Sequence, residues 1–266
     1  DTTAPLAPNV ALTKDSGSSA TDKLTNVGTL AVTGLETGAV TEYSTNSGSS
    51  WSTTFTAVQG TNSVQIRQLD VAGNASTATL FSFTYDSQVA SPTVSLQNDT
   101  GKSNSDNISM DGTLSIGGVE QGAKVEYTIN GGTTWTTTFV AKAGANTVKV
   151  RQTDLAGNVN TSASLTFTLD TTAPLAPKVA LTKDSGISTT DKLTNVGTLG
   201  VTGLETGAAV EYSINSGTSW TSSFSAVEGI NNVLVRQRDV AGNTGAAAAL
   251  FTFTLDTTPP KLNPTF

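Results

Sequence analysis

The residues with the regularity to do chemistry in this chain are its acids. There are 21 Asp and Glu against 14 Lys and Arg, and no Cys or His. All but Asp111 and Glu228 recur in columns. One column is Asp1, Asp86, Asp170 and Asp256. Two more are Asp15, Asp99, Asp184 and Asp22, Asp106, Asp191. The others are Glu36, Glu120, Glu205, then Asp70, Asp154, Asp239, and finally Glu42, Glu126, Glu211. Asn74, Asn158 and Asn243 each follow the fifth-column Asp by four positions. Carboxylates gathered in loops repel one another and favour a hard cation with oxygen ligands. Calcium takes about six to eight such oxygens, backbone carbonyls included, whereas magnesium demands a near-ideal octahedron. The Asp-x-Asp-x-Asp-Gly loop of an EF-hand is missing. A single recurring loop Asp is well explained as a turn-former; several columns converging are better explained by Ca²⁺ as a bound cofactor.

The columns keep step because the whole chain repeats. Asp1-Thr2-Thr3-Ala4-Pro5 returns at Asp170-Thr171-Thr172-Ala173-Pro174, begins again at Asp256-Thr257-Thr258-Pro259-Pro260, and has a diverged copy from Asp86. The starts lie 85, 84 and 86 residues apart. A period this long is a small domain, not a solenoid unit. The expected division is 1–85, 86–169 and 170–255, with 256–266 opening a further linker or tail, so the chain reads as a piece of a longer array. The middle repeat has diverged elsewhere, with Asp86-Ser87-Gln88-Val89 in place of the Asp-Thr-Thr-Ala linker, yet it keeps its acids.

Short alternating runs between Gly, Asn, Asp and Ser clusters predict strands and turns. In the third repeat these are Val179–Thr182, Leu199–Leu204, Val210–Ile214, Trp220–Phe224, Val233–Gln237 and Leu250–Leu255. Gly and β-branched residues are too frequent for helix. The fold class expected is all-β: three tandem immunoglobulin-like antiparallel β-sandwiches in an extended rod. Val210, Tyr212 and Ile214 are expected to face the core with Trp220 and Phe224. Glu211 and Arg236 point outward as a cross-strand ion pair, as do Glu42 with Arg67 and Glu126 with Arg151.

With an odd number of strands the chain passes from one end of each sandwich to the other. The first loop, Asp15 to Asp22 and its copies, then lies at the trailing end, and the second turn, at Glu36, Glu120 and Glu205, and the late loop, Asp-x-Ala-Gly-Asn, at the leading end. The first junction gathers Asp15, Asp22, Asp86, Glu120, Asp154 and Asn158. The second gathers Asp99, Asp106, Asp170, Glu205, Asp239 and Asn243. Asp1, Asp70 and Asn74 occupy the equivalent places before the first repeat, and Asp184, Asp191 and Asp256 those after the third.

Without His or Cys, zinc sites, Ser-His-Asp triads, thiol nucleophiles and disulfides are excluded. Net charge is −7, and basic residues are too few for a phosphate-binding surface, so no nucleic-acid partner is expected. No apolar run approaches a membrane span, so no membrane insertion is expected.

These residues resemble the bacterial immunoglobulin-like repeats of giant type I-secreted adhesins, similar in type to the giant non-fimbrial adhesins of Salmonella. The carriers are the Asp-Thr-Thr-Ala-Pro start, Thr13-Lys14-Asp15-Ser16-Gly17, Gly34-Leu35-Glu36-Thr37-Gly38, Glu42-Tyr43-Ser44 with the later Trp51, and Arg67-Gln68 before Asp70-Val71-Ala72-Gly73-Asn74. The resemblance implies a non-catalytic, cell-surface stalk, stiffened by calcium at the linkers through the linker Asp and the Asp-x-Ala-Gly-Asn loop. It implies a monomer whose partners are neighbouring repeats, with the host or surface ligand bound elsewhere. Pro5, Pro8, Pro174 and Pro177 restrict the linkers further. Two rivals come from other classes: direct binding of a glycan or host protein by the repeats, and a spacer role in a large extracellular enzyme.

Overall fold

The computed structural model describes residues 1–261; the end of the expected 256–266 stretch lies outside the described residues. No helix occurs among the described residues, so none is long and apolar enough to cross a membrane. The chain divides into two compact units. One holds Asp1–Ser95, Ile116–Phe139 and Val148–Leu165; the other holds Leu96–Ser115, Val140–Thr147 and the chain from Thr166 onward. The first unit contains the 85/86 linker in its interior, and the second contains the 169/170 linker.

In the first unit, β1 (Asn9–Leu12), β2 (Leu24–Thr25), β3 (Leu30–Thr33), β4 (Val40–Ser44), β5 (Gly60–Leu69) and β6 (Thr79–Tyr85) make two sheets. One is the β1-β3 pair; the other has the order β2-β6-β5-β4. The long strand β5 shows why. Val64 and Ile66 alternate inward and are fully buried, packing with Phe81 and Phe83 of β6. Each such side chain contributes about 1.5–3 kcal/mol by leaving water. Val10, Leu12, Leu30 and Val32 close this core from the smaller sheet.

The middle repeat supplies β7 (Thr93–Leu96), β8 (Ile108–Ser109), β9 (Leu114–Gly117), β10 (Lys124–Thr128), β11 (Gly144–Thr153), β12 (Val159–Thr161) and β13 (Leu165–Leu169). In the first unit β11 pairs antiparallel with β10 and β12; in the second, β13 pairs with β8.

The third repeat reproduces the first. Its strands are β14 (Lys178–Leu181), β15 (Leu193–Thr194), β16 (Leu199–Thr202), β17 (Ala209–Ser213), β18 (Gly229–Arg238) and β19 (Phe251–Leu255). The sheets are β14-β16 and β15-β19-β18-β17, around buried Val233, Val235, Phe253 and Leu255.

The all-β class and two-sheet layering agree with the sequence pattern, but four details differ. The sheets are not wholly antiparallel: β2 runs parallel to β6, β8 to β13 and β15 to β19. These two-residue strands are too short to carry an alternation signal. Second, Ile214 is 74% exposed. It falls one residue past β17, where the Ser213 hydroxyl accepts the Gly217 N–H at 2.9 Å and turns the chain outward. Third, Trp220–Phe224 does not continue the sheet as a strand; only Thr221 bridges, to Tyr212. Fourth, Trp220 is not a core side chain. Glu211 registers against Arg236, and the Arg236 guanidinium lies 4.0 Å from the Trp220 ring centroid. The tryptophan therefore sits on the outward face under the ion pair, which closes at 2.7 Å. Trp51 with Arg67 and Trp135 with Arg151 repeat the arrangement at 4.1 and 4.4 Å. An amphipathic indole can cover an Arg face and gain cation–π attraction there, so its position in a strand-rich segment did not require burial. Tyr212 does face inward, stacked on Phe224 at 6.0 Å.

Candidate functional site at the repeat junctions

The late loop Asp-x-Ala-Gly-Asn is built by its own acid. Asp154 accepts the Asn158 N–H on Oδ1 and the Asn158 side-chain amide on Oδ2, both at 2.8 Å. Asp70 with Asn74 and Asp239 with Asn243 do the same. The Asn74 amide holds the Asp70 carboxyl below the usual carboxylate range, because these donors favour the charged form.

This cap aims the Asn amide at the linker. Asn158 Nδ2 donates to the Asp86 carbonyl at 2.8 Å, Asn243 to that of Asp170 at 2.8 Å and Asn74 to that of Asp1 at 3.2 Å. The linker Asp is also held by the preceding repeat. Asp86 donates its N–H to Thr25 O, Asp170 to Ser109 O and Asp256 to Thr194 O, each at 2.9 Å. Asp86 and Asp170 are thus pinned from both sides through their backbones. Their side chains turn the linker locally. Asp170 Oδ1 accepts the Thr172 N–H, and Asp86 Oδ1 accepts from Gln88 N–H and the Gln59 amide. Asp1 and Asp256 make the same turn with Thr3 and Thr258.

The first loop of one repeat receives the late loop of the next. In the first unit, Ser16 Oγ donates to Ala156 O at 2.7 Å and the Ser18 N–H to Leu155 O at 3.1 Å. In the second, Thr100 Oγ1 donates to Ala241 O at 2.6 Å and the Lys102 N–H to Val240 O at 3.0 Å. Ala156 and Ala241 are each 1% exposed. The fit requires glycine at the base of the socket. A Cβ on Gly17 would lie 2.0 Å from Leu155 O, and one on Gly101 2.0 Å from Val240 O.

The remaining predicted ligands sit around this joint in structural roles. Asp22, Asp106 and Asp191 cap Leu24, Ile108 and Leu193 N–H within the first loop. Glu120 accepts the linker Ala90 N–H at 3.1 Å. Glu205, like Glu36 and Glu120, gives its own N–H to a buried Gln. Asp15, Asp99 and Asp184 each accept one loop N–H on Oδ2, from Lys23, Asn107 and Lys192. Their Oδ1 atoms are buried and have no hydrogen-bond partner. Among the described residues no three acidic side chains converge closely enough to form a metal cluster.

Sequence reasoning missed Gln68, Gln152 and Gln237. Each is fully buried. Gln152 donates to the linker Ala90 O at 2.8 Å and to Gly118 O at 2.9 Å, while its Oε1 accepts the Glu120 N–H at 2.9 Å. Gln68 clasps Leu6, Gly34 and Glu36, and Gln237 clasps Leu175, Gly203 and Glu205. The signal was available: a glutamine two positions past an inward pair of β-branched residues (Val64 and Ile66, Val148 and Val150, Val233 and Val235), recurring with the period. Both lone acids also prove to be local clamps. The Thr257 hydroxyl and N–H hold Glu228 below the usual range, and the Asn98 amide does so for Asp111.

Residues 88–171 match the family model described as a bacterial Ig-like domain. No curated protein matches the chain. Among solved structures, the chain is similar to the FN1–FN3 domains of chicken CNTN1. That likeness has 12% identity and a TM-score of 0.33, covering 95% of this chain and 99% of that one. It is also similar to a structure from a 1.5-MDa bacterial ice-binding adhesin, at 18% identity and a TM-score of 0.28, covering 82% and 86%. Both are too distant to bear on function.

Proposed function

We propose that this chain is a non-catalytic stalk or spacer segment of a large bacterial surface adhesin, and that its working part is the joint. The domain match over the middle repeat supports the bacterial Ig-like reading. Sequence markers and strand order extend that reading to the first and third repeats, together with an extracellular location. The carrying observation is the docked late loop, made twice through equivalent hydroxyl and backbone N–H donors and with no room for a side chain beneath it. A short linker between small domains bends by default. Pinning its first residue from both neighbours and seating a loop in a socket removes that freedom.

Calcium fits this joint in part. The carboxylates of Asp70, Asp154 and Asp239 are already satisfied by their own loops, so their residues hold geometry rather than metal. Asp15, Asp99 and Asp184 fit better, since each keeps a buried, unpartnered Oδ1. Bound there, calcium would supply the charge compensation that those oxygens lack and take its other ligands from backbone carbonyls and water. It would also stabilise the folded chain by mass action.

The test is thermal unfolding of the whole chain with calcium and with chelator, repeated for Asp99→Asn. Calcium is expected to raise the melting temperature, and Asp99→Asn to shrink that rise. Equal melting with calcium and chelator removes the ion and leaves the docked joint standing.

A further inference from the structure

The two docked joints close with the same loop and socket, but their linkers are held differently. The difference begins at one residue of each repeat, just before the glycine that opens the long strand. Gln59, Ala143 and Glu228 occupy that place, ahead of Gly60, Gly144 and Gly229 at φ 94°, 89° and 90°. The turn is the same in all three: Asn62, Asn146 and Asn231 accept the N–H of Val58, Lys142 and Val227, each at 2.9 Å. Gln59 grips the linker that leaves its repeat. Its amide donates to Asp86 Oδ1 at 2.7 Å, and its Oε1 accepts the Ser87 N–H and hydroxyl, both at 3.0 Å. Glu228 likewise accepts the Thr257 hydroxyl at 2.8 Å and the Thr257 N–H at 3.2 Å. Ala143 has no side-chain group to offer Thr171.

The repeat that follows each linker shows the same contrast. On the first linker, Asn160 donates to Val89 O at 3.0 Å and Glu120 accepts the Ala90 N–H at 3.1 Å. In the third repeat Gly245 stands in the place of Asn160, two residues past the late-loop Asn. The Glu205 carboxylate makes no bond to the second linker among the described residues. Gly245 instead admits the carbonyl of buried Pro174, which would lie 2.4 Å from a Cβ built there. Asp170 is pinned and Pro174 is seated, so the slack falls between them. Thr171, Thr172 and Ala173 are all exposed. Their one hydrogen bond among the described residues is the local turn from the Thr172 N–H to Asp170 Oδ1, at 2.9 Å.

We infer that the second joint is the one that yields: Thr171–Ala173 is its hinge, and the residue at 59 or 143 sets how far the linker behind it resists bending. The inference rests on the docked joint proposed above. A late loop can leave its socket only if its linker bends. Bending the first linker breaks either the Gln59 clasp or the Asn160 and Glu120 bonds, whereas bending the second disturbs one local turn. Exposed bonds of this kind together shift the closing equilibrium about tenfold. Repeats joined this way open at a set place under load while the neighbouring joint stays shut.

Amide exchange of the whole chain reads both seams, through the Ser18 N–H donated to Leu155 O and the Lys102 N–H donated to Val240 O. Corrected for intrinsic rates, Lys102 is expected to exchange about tenfold faster than Ser18. Ala143→Gln, at an exposed position, is expected to clasp Asp170 and Thr171, slow Lys102 about tenfold and leave Ser18 unchanged. Gln59→Ala, also at an exposed position, is expected to speed Ser18 about tenfold and leave Lys102 unchanged. A wild type in which Ser18 exchanges as fast as Lys102 overturns the inference. So does wild-type exchange at Lys102 in Ala143→Gln, or at Ser18 in Gln59→Ala. If neither variant moves its seam while Gly101→Ala still speeds Lys102, the docked joint stands and only the unequal hold on the linkers falls.

Discussion

Replacing Gly101 with alanine should open the second joint without unfolding either neighbour, and Gly186→Ala supplies the control. Both glycines sit at positive φ, 99° and 108°. Each substitution therefore carries the same left-handed penalty, about 1–2 kcal/mol. They differ in surroundings. At Gly101 the new methyl would lie 2.0 Å from Val240 O and 2.6 Å from the Ala241 carbonyl carbon, whereas at Gly186 the space is open. The clash is with backbone, so the late loop must withdraw. Withdrawal breaks the Lys102 N–H bond to Val240 O and the Thr100 hydroxyl bond to Ala241 O. At a net value near 1 kcal/mol each, the loss is about 2 kcal/mol, or about thirty-fold in the docking equilibrium. Amide hydrogen exchange reads this locally. The Lys102 amide should exchange about thirty-fold faster in Gly101→Ala and be unchanged in Gly186→Ala, with Val148 and Val150 protected in both. Equal Lys102 protection in the two variants would refute docking as the source of the effect.

The buried glutamine should be as sensitive as any core side chain. Gln152→Leu leaves the Ala90 and Gly118 carbonyls and the Glu120 N–H without their partner. At about 1–3 kcal/mol per orphaned group, partly relieved by water at the linker, urea unfolding should register a loss of about 2–4 kcal/mol. The acid limb of stability should involve Glu126, whose carboxyl is held below the usual range by Lys124 first and Arg151 second. A lowered folded pKa means that its contribution is fully present above the ordinary Glu value, near 4.3. It is lost as pH falls through the lower folded value. Urea midpoints between about pH 6 and 3 should therefore fall less steeply for Glu126→Gln than for the wild type; parallel curves would remove this carboxylate from the acid response.

The sheet was readable where alternation was long. Val233 and Val235 in β18 announce an inward face, and Glu211 opposite Arg236 announces an outward one. The two-residue strands at Leu24–Thr25 and Leu193–Thr194 were not readable, because two residues carry no period. Ile214 failed for a related reason: alternation continued in the sequence for one residue after the strand had ended. The acids were readable as a recurring set at the linkers and loops, but not as individual partners. Nothing in the spelling of Asp154 and Asn158 reveals that the carboxylate serves its own loop while the amide reaches Asp86 across 72 positions. That is a tertiary fact, fixed only when the late loop comes to lie beside the linker. The socket glycines were hidden in plain view, since any loop glycine has a local explanation, and only the approach of Leu155 and Val240 supplies the other one.

The two-sided hold on the linker aspartate has a thermodynamic consequence. Asp86 gives its N–H to Thr25 and its carbonyl accepts from Asn158, so one residue is counted in the native bonding of both neighbours. Melting either neighbour then strips a bond from the other. The repeats cease to be independent beads and become an array with nearest-neighbour terms, in which a folded unit raises the melting point of the one beside it. A denaturation curve for two joined repeats should accordingly be steeper and later than the sum of two isolated ones. Length itself becomes a source of resistance to unfolding.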